Sequence, residues 1–338
     1  MAVDVGVVLG VLMALAFAVM NGVNDAAAVV AMPVVTRVAR PVAAVAIAVI
    51  GNLLGPLLLG TAVAGTIAGI VAVQGPEAVA VVGAGLSGAV AWCGFCWWRG
   101  IPASASQALV GGLTGAALIE GGVDAVNWGG VSGGRPSGVL GALFALVFSV
   151  FLGLVLGLVV DRLARRALRR ANRHVEPGVA VGEWASAAAL AFGHGANDAQ
   201  KTMGAIVAVL VASGHLSSFS VPPWVALASA GALTLGTAFG GWSIVRTLGK
   251  RIVRIRPLDG LVSQSSSAAV VLASSLVGAP VSTTEVLSSS IVGAGVGRRR
   301  GRHVRWSIVG HVGISWLTTI PLSGVCAVAL TPLWKLVT

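Results

Sequence analysis

Two Asn-Asp pairs stand in otherwise apolar sequence, at Gly22-Val23-Asn24-Asp25-Ala26 and, 173 residues later, at Gly195-Ala196-Asn197-Asp198-Ala199. A carboxylate within a membrane-length apolar segment is costly, so two at matching places point to a functional site. The bland reading is a buried pair kept to fix packing. Chemically, Asp25 and Asp198 can accept hydrogen bonds from a protonated oxyanion. Phosphate near neutral pH keeps one or two hydroxyls and sulfate has none, so paired Asp favours phosphate over sulfate. The same oxygens, with Asn24, Asn197 and hydroxyls such as Ser104, Ser282 and Thr283, can instead hold a small hard cation such as sodium. Lys201 and Thr202 follow the second pair and, near a helix start, would offer a cation and a hydroxyl to a tetrahedral oxyanion.

A second motif is also duplicated. Pro102-Ala103-Ser104-Ala105-Ser106-Gln107-Ala108-Leu109 aligns with Pro280-Val281-Ser282-Thr283-Thr284-Glu285-Val286-Leu287 at an offset of 178, and Gly115 then falls on Gly293. These segments read as the turns of re-entrant hairpins, where Ser104, Ser106, Ser282, Thr283 and Thr284 present hydroxyls and helix-start amides to an anion. Glu285 is an intramembrane carboxylate in need of a partner and a candidate for the coupling ion. His194 and His311 read as hydrogen-bonded structural histidines. Gly195 to Thr202 misses the phosphate-loop pattern at Gln200, and no strand precedes it, so an ATPase is excluded.

The elements that must position these groups are membrane helices. Of the 338 residues, 56% are hydrophobic and only 10% charged, with a mean hydropathy of +0.94, so the chain is an integral membrane protein. Nearly uncharged windows run over Val5 to Met20, Val42 to Val73, Ala78 to Trp98, Val139 to Val160, Trp224 to Ile244, Leu261 to Ile291 and Trp306 to Leu330. At about 20 residues per pass they give roughly ten spans or re-entrant halves, an all-α fold. Gly, Asn, Pro and Ser around each motif predict broken helices there. Gly51-x-x-x-Gly55 and Gly153-x-x-x-Gly157 predict tight helix packing. Cys93 and Cys96 read as structural thiols.

The net charge of +11 sits in short segments between apolar runs, around Arg37 and Arg40, Arg162 to Arg173, Arg246 to Arg256 and Arg298 to Arg305. That is an orientation signal and argues against nucleic acid; these loops face the cytoplasm and both termini face outward. Asp4, with no basic residue before the first apolar run, speaks against a removable signal peptide. Reached from opposite sides, the two motif sets predict an inverted-topology repeat, residues 1–160 and 179–338, joined by a basic linker at 161–178.

These residues resemble the inorganic phosphate transporter (PiT) family of cation-coupled symporters. The resemblance rests on Gly193-His194-Gly195-Ala196-Asn197-Asp198-Ala199-Gln200-Lys201-Thr202-Met203-Gly204, Thr237-Ala238-Phe239-Gly240-Gly241-Trp242, Arg256-Pro257-Leu258-Asp259-Gly260 and Pro280-Val281-Ser282-Thr283-Thr284. Asn21-Gly22-Val23-Asn24-Asp25 with Thr36-Arg37 matches more loosely. It implies phosphate uptake coupled to sodium or protons, with no other cofactor. Against the family pattern, Ala28 replaces an Asn, Gln107 and Glu285 replace His, and Gly65 and Gln264 replace Glu; Gln107, Gln264 and Glu285 join Asn24, Asp25, Asn197 and Asp198 as coupling-ion candidates. The expectation is a multi-pass phosphate symporter of the cell membrane, not an enzyme, in contact with lipid and compatible with a homo-oligomer. A sulfate permease and a transport-inactive phosphate sensor are the alternatives. Asp198→Asn is expected to abolish transport with the fold intact.

Overall fold

Apolar runs of this length satisfy their backbone groups only within helices. The computed structural model describes residues 4–132, 135–170, 175–240, 255–298 and 304–338. Among them lie α1 (Val5–Val35), α2 (Pro41–Leu58), α3 (Ala62–Ala68), α4 (Pro76–Arg99), α5 (Ala105–Gly121), α6 (Gly138–Ala167), α7 (Glu176–Ala212), α8 (Pro223–Phe239), α9 (Pro257–Leu276), α10 (Thr283–Gly297) and α11 (Trp306–Trp334). A small antiparallel ribbon, β1 (Gly130–Ser132) with β2 (Arg135–Ser137), precedes α6.

Six helices among the described residues are long and apolar enough to cross a membrane: Val5–Val35, Pro41–Leu58, Glu77–Arg99, Ala105–Ala125, Gly138–Arg170 and Trp306–Trp334. The composition predicts roughly ten spans or re-entrant halves, of which these six meet the length and hydropathy of a full pass. α7 is diluted by its polar motif, α9 and α10 by their serines and threonines, and α8 is a shorter apolar helix. Gly241 to Arg254, which include part of the Trp224 to Ile244 window and Gly241-Trp242 of the Thr237 motif, lie outside the described residues, as do Arg173, Arg299, Arg300 and Arg302.

The hairpin turns fall where the Pro-Ser motifs place them. α4 ends at Gly100, whose φ of 66° is the left-handed conformation that suits glycine. Four residues later Ser104 caps α5 by accepting from the Gln107 amide. Ser282 caps α10 in the same way through the Glu285 amide. α4 packs along α5, and α9 along α10, as two helical hairpins.

The helices carrying the Asn-Asp pairs are not broken, contrary to the expectation from their small and polar residues. α1 and α7 run without interruption through Asn24-Asp25 and Asn197-Asp198. Asn24 Nδ2 donates to the Met20 carbonyl one turn back, 3.1 Å away, so this amide sits within the helix without disturbing it. The glycines serve close approach instead. A Cβ on Gly22 would lie 2.2 Å from the Leu233 carbonyl oxygen of α8, and one on Gly195 2.5 Å from Asn52 Cα of α2. Gly236 faces Val19 of α1, and Gly55 faces Phe192 and Ala196 of α7, equally closely. Gly153 and Gly157 of α6 pack on Ser289 and Ser290 of α10, as small-residue stripes do.

Contacts repeat with partners exchanged. α1 packs on α8 and α7 on α2; α5 on α11 and α10 on α6; α4 on α11 and α9 on α6; α1 on α4 and α7 on α9. At one end of the bundle the Thr36 hydroxyl donates to Glu183 Oε1 at 2.7 Å. There Arg165 grips both Asp161 oxygens and reaches Asp259 Oδ1 at 2.5 Å, while Arg298 meets Asp259 Oδ2 at 2.8 Å. At the opposite end Gly6 packs on Val337 and Thr338, and Lys335 pairs with Glu120 at 2.9 Å. The two termini therefore share the end away from the basic cluster at Arg165 and Arg298.

Candidate functional site

The two hairpins enter the bundle from opposite ends, and their turns meet in its interior. The Ser106 hydroxyl, in the first turn of α5, donates to the Val281 carbonyl just before α10, at 2.9 Å. The Ser104 hydroxyl lies close to the Glu285 carboxylate. Both half-helices thus begin at this junction, so the positive ends of two helix dipoles converge on it. These are the helix starts available to an anion. Lys201 and Thr202 are not near one, because α7 begins at Glu176.

Around the junction the second Asn-Asp motif is engaged through Asn197 and Asp198 Oδ1, while Asp198 Oδ2 has no hydrogen-bond partner among the described residues. Asn197 Nδ2 donates to Ser275 Oγ at 3.0 Å and to the Ala279 carbonyl at 3.1 Å, and its Oδ1 accepts from the Val281 amide at 3.1 Å. One side chain so ties α7 to the turn of the second hairpin. Lys201 Nζ donates to an Asp198 oxygen, to Ser106 Oγ at 2.5 Å and to the Val281 carbonyl at 2.6 Å. A lysine ammonium has three donors, and all are used. His194 bridges Asn52 Oδ1, 2.8 Å from its Nδ1, and Asp198 Oδ2, 2.9 Å from its Nε2 in poor hydrogen-bond alignment. Asn52 in turn donates to the Thr237 hydroxyl at 2.8 Å.

The first motif is the open one. The Thr284 hydroxyl donates to Asp25 Oδ1, but Asp25 Oδ2 and Asn24 Oδ1 are buried without a partner. Gln107 Oε1, Glu285 Oε1, Thr202 Oγ1 and Thr283 Oγ1 are buried and unpartnered as well. Buried polar atoms are ordinarily satisfied, so this concentration of free oxygens on α1, α7 and the two turns marks a place for a ligand. One ligand atom each from Asp25, His194 and Asp198 lies within 4.8 Å of the others, close enough to hold one cation. The free set contains both acceptors and hydroxyl donors, which suits an oxyanion that still carries protons.

Most predicted residues therefore meet: Asp25, Asn197, Asp198, Lys201, Ser104, Ser106, Ser282, Thr284 and Glu285 are joined by direct contacts or share the two turns, while Asn24, among the described residues, bonds only the Met20 carbonyl of its own helix. Gln264 does not join them. Its amide bonds Ser186 Oγ and the Val29 carbonyl, both at 3.4 Å, toward the basic end. Gly65 lies on α3 and lines a separate cavity of about 810 Å³ with Gln74, Asn127 and Phe219. Sequence reasoning overlooked Asn52, Ser275 and Gln200, whose Oε1 accepts from the Val63 amide at 2.8 Å and caps α3. A lone amide in an apolar run was the signal available for Asn52. Asn197→Ala, which removes three bonds to the second hairpin, is expected to destabilise the protein by about 2–3 kcal/mol, whereas Asn24→Ala, which loses one, shifts stability by less than about 1 kcal/mol. Thermal unfolding in detergent checks the difference.

A profile described as the phosphate transporter family matches residues 21–327. A protein of Rhizobium meliloti named "Probable low-affinity inorganic phosphate transporter" is 37% identical over 314 residues, which cover 91% of this chain and 90% of that protein. One of the same name from Mycobacterium tuberculosis is 39% identical over 269 residues, 79% of this chain and 63% of the relative. The chain thus spans a little under two thirds of the mycobacterial proteins it matches. Among solved structures, "The sodium-dependent phosphate transporter" superposes with a TM-score of 0.85 over 98% of this chain and 100% of that one, at 23% identity. At that identity the likeness is one of fold.

Proposed function

The chain belongs to the phosphate transporter family, and on that premise we propose that it is a secondary carrier moving inorganic phosphate across the cell membrane by symport with sodium or protons. The observation that carries this reading is the junction of two opposed hairpin turns beside unpartnered Asp25 Oδ2 and Glu285 Oε1. Hydrogen phosphate can donate to these acceptors and receive bonds from Thr202, Thr283 and the helix-start amides. Sulfate brings no proton and leaves the Asp25 oxygen facing a bare anion, which disfavours it.

The architecture proposed is an inverted repeat of residues 1–160 and 179–338 with the linker at 161–178, working by alternating access around the junction. Its support is the exchange of packing partners and the reciprocal glycine contacts, Gly22 and Gly236 between α1 and α8, Gly195 and Gly55 between α7 and α2. The basic end faces the cytoplasm and the termini face outward in this reading, by the bias of Lys and Arg. The exposed Leu140, Phe144, Val147, Phe148 and Phe151 of α6 form a face for lipid.

Labelled phosphate uptake into proteoliposomes tests the proposal, with sodium and pH gradients imposed separately and sulfate as competitor. Accumulation above the equilibrium level under at least one gradient, resistant to excess sulfate, is the expected result. Phosphate binding with no accumulation under either gradient would identify a sensor and end the carrier reading.

A further inference from the structure

The surroundings of Lys201 have the composition of a cation site. Its ammonium sits among a carboxylate oxygen of Asp198, the hydroxyl oxygen of Ser106 at 2.5 Å and the carbonyl oxygen of Val281 at 2.6 Å. These ligands come from three separate segments, α7, the start of α5 and the turn before α10, and Lys201 is wholly buried. Carboxylate, hydroxyl and carbonyl oxygens gathered from separate elements are the donor set that hard metal cations take. A buried ammonium is tolerated only when such oxygens surround it.

The first half has no such cation. At the offset of 173 that relates the Asn-Asp pairs, the place of Lys201 is taken by Ala28, equally buried. Asp25 Oδ1 accepts only from the neutral Thr284 hydroxyl, whereas Asp198 Oδ1 is paired with the Lys201 ammonium; the second oxygen of each aspartate has no hydrogen-bond partner among the described residues.

We propose that Lys201 is a tethered cation, filling at the second Asn-Asp motif the place of an exchangeable monovalent ion and leaving Asp25 as the motif open to a mobile coupling ion. This deepens the transport reading and depends on it only for the word coupling; the cation site itself is a property of the folded protein. It follows that one positive charge at the site never leaves, so each cycle carries one cation fewer than two open motifs would.

Sodium binding tests it without any transport measurement. Radioactive sodium bound to purified protein is counted for the wild type, Lys201→Ala and Lys201→Gln, the second variant keeping most of the side-chain volume. One additional equivalent of sodium is expected in a folded variant, together with a melting temperature that rises with sodium against choline more than the wild type does. Asp198→Asn added to Lys201→Ala should remove the gain. Folded variants that bind no more sodium than the wild type overturn the proposal. Phosphate uptake by the wild type is measured in parallel: its failure alongside a gain of sodium binding would end the carrier reading and leave the tethered cation standing.

Discussion

Gradient-driven phosphate accumulation is expected to disappear in Asp25→Asn while the protein stays folded. The Thr284 hydroxyl bonds Asp25 Oδ1, and an Asn oxygen can accept the same bond. Oδ2 has no partner to lose, so exchanging it for an amide nitrogen removes a buried, incompletely compensated charge, a change that is often neutral or stabilising. What is lost is the acceptor for a phosphate hydroxyl and the negative charge that would hold a sodium ion or proton. A hydrogen bond involving a charged group contributes roughly 1.5–3 kcal/mol, so phosphate affinity should weaken about 10- to 100-fold. Uptake in proteoliposomes, beside size-exclusion and thermal profiles, checks both halves. Uptake within twofold of wild type from folded Asp25→Asn protein would remove Asp25 from the site.

Asp198→Asn, expected from the sequence alone to leave the fold intact, should instead lose stability first, because its partner Lys201 is buried. Lys201 would remain wholly buried, with Ser106 and Val281 as neutral partners only. Breaking a buried ion pair by removing one partner costs about 3–5 kcal/mol, enough to deplete folded protein in the membrane. The double substitution Asp198→Asn, Lys201→Met removes both charges and should recover much of that stability without recovering transport. Thermal unfolding of the three proteins in one detergent decides this; an Asp198→Asn protein as stable as wild type would show that the ammonium is compensated elsewhere.

The difference between the two aspartates shows what local sequence can and cannot convey. The hairpin turns were legible because their signals are local: a proline, then a serine three residues before the amide that it caps. Their meeting in space was not, since Lys201 reaches Ser106 across 95 residues and Val281 across 80. Lys201 therefore read as an anion donor, although its three donors are already occupied. The Asn-Asp pairs read as helix breaks because Asn and Gly are poor helix formers. In place, Asn24 bonds its own helix and the glycines answer to α2 and α8. Gln264 was named through the resemblance alone, which carries no geometry, and it sits with Ser186 and Val29 instead. Gln200 stood inside the best motif, yet its role as the cap of α3 depends on Val63, 137 residues away.

The contact between the hairpin turns also bears on leakage. Ser106 belongs to the hairpin from one face and Val281 to that from the other, and Lys201 bonds both. Two doors fastened to one latch form an airlock: neither can swing without releasing the piece that holds the other. A continuous aqueous path would need both turns displaced with the ammonium stripped of two of its oxygens, in surroundings where water is scarce. In the carrier proposed above, a state open both ways would bear that cost, and the side chain that neutralises Asp198 would insulate the ion gradient.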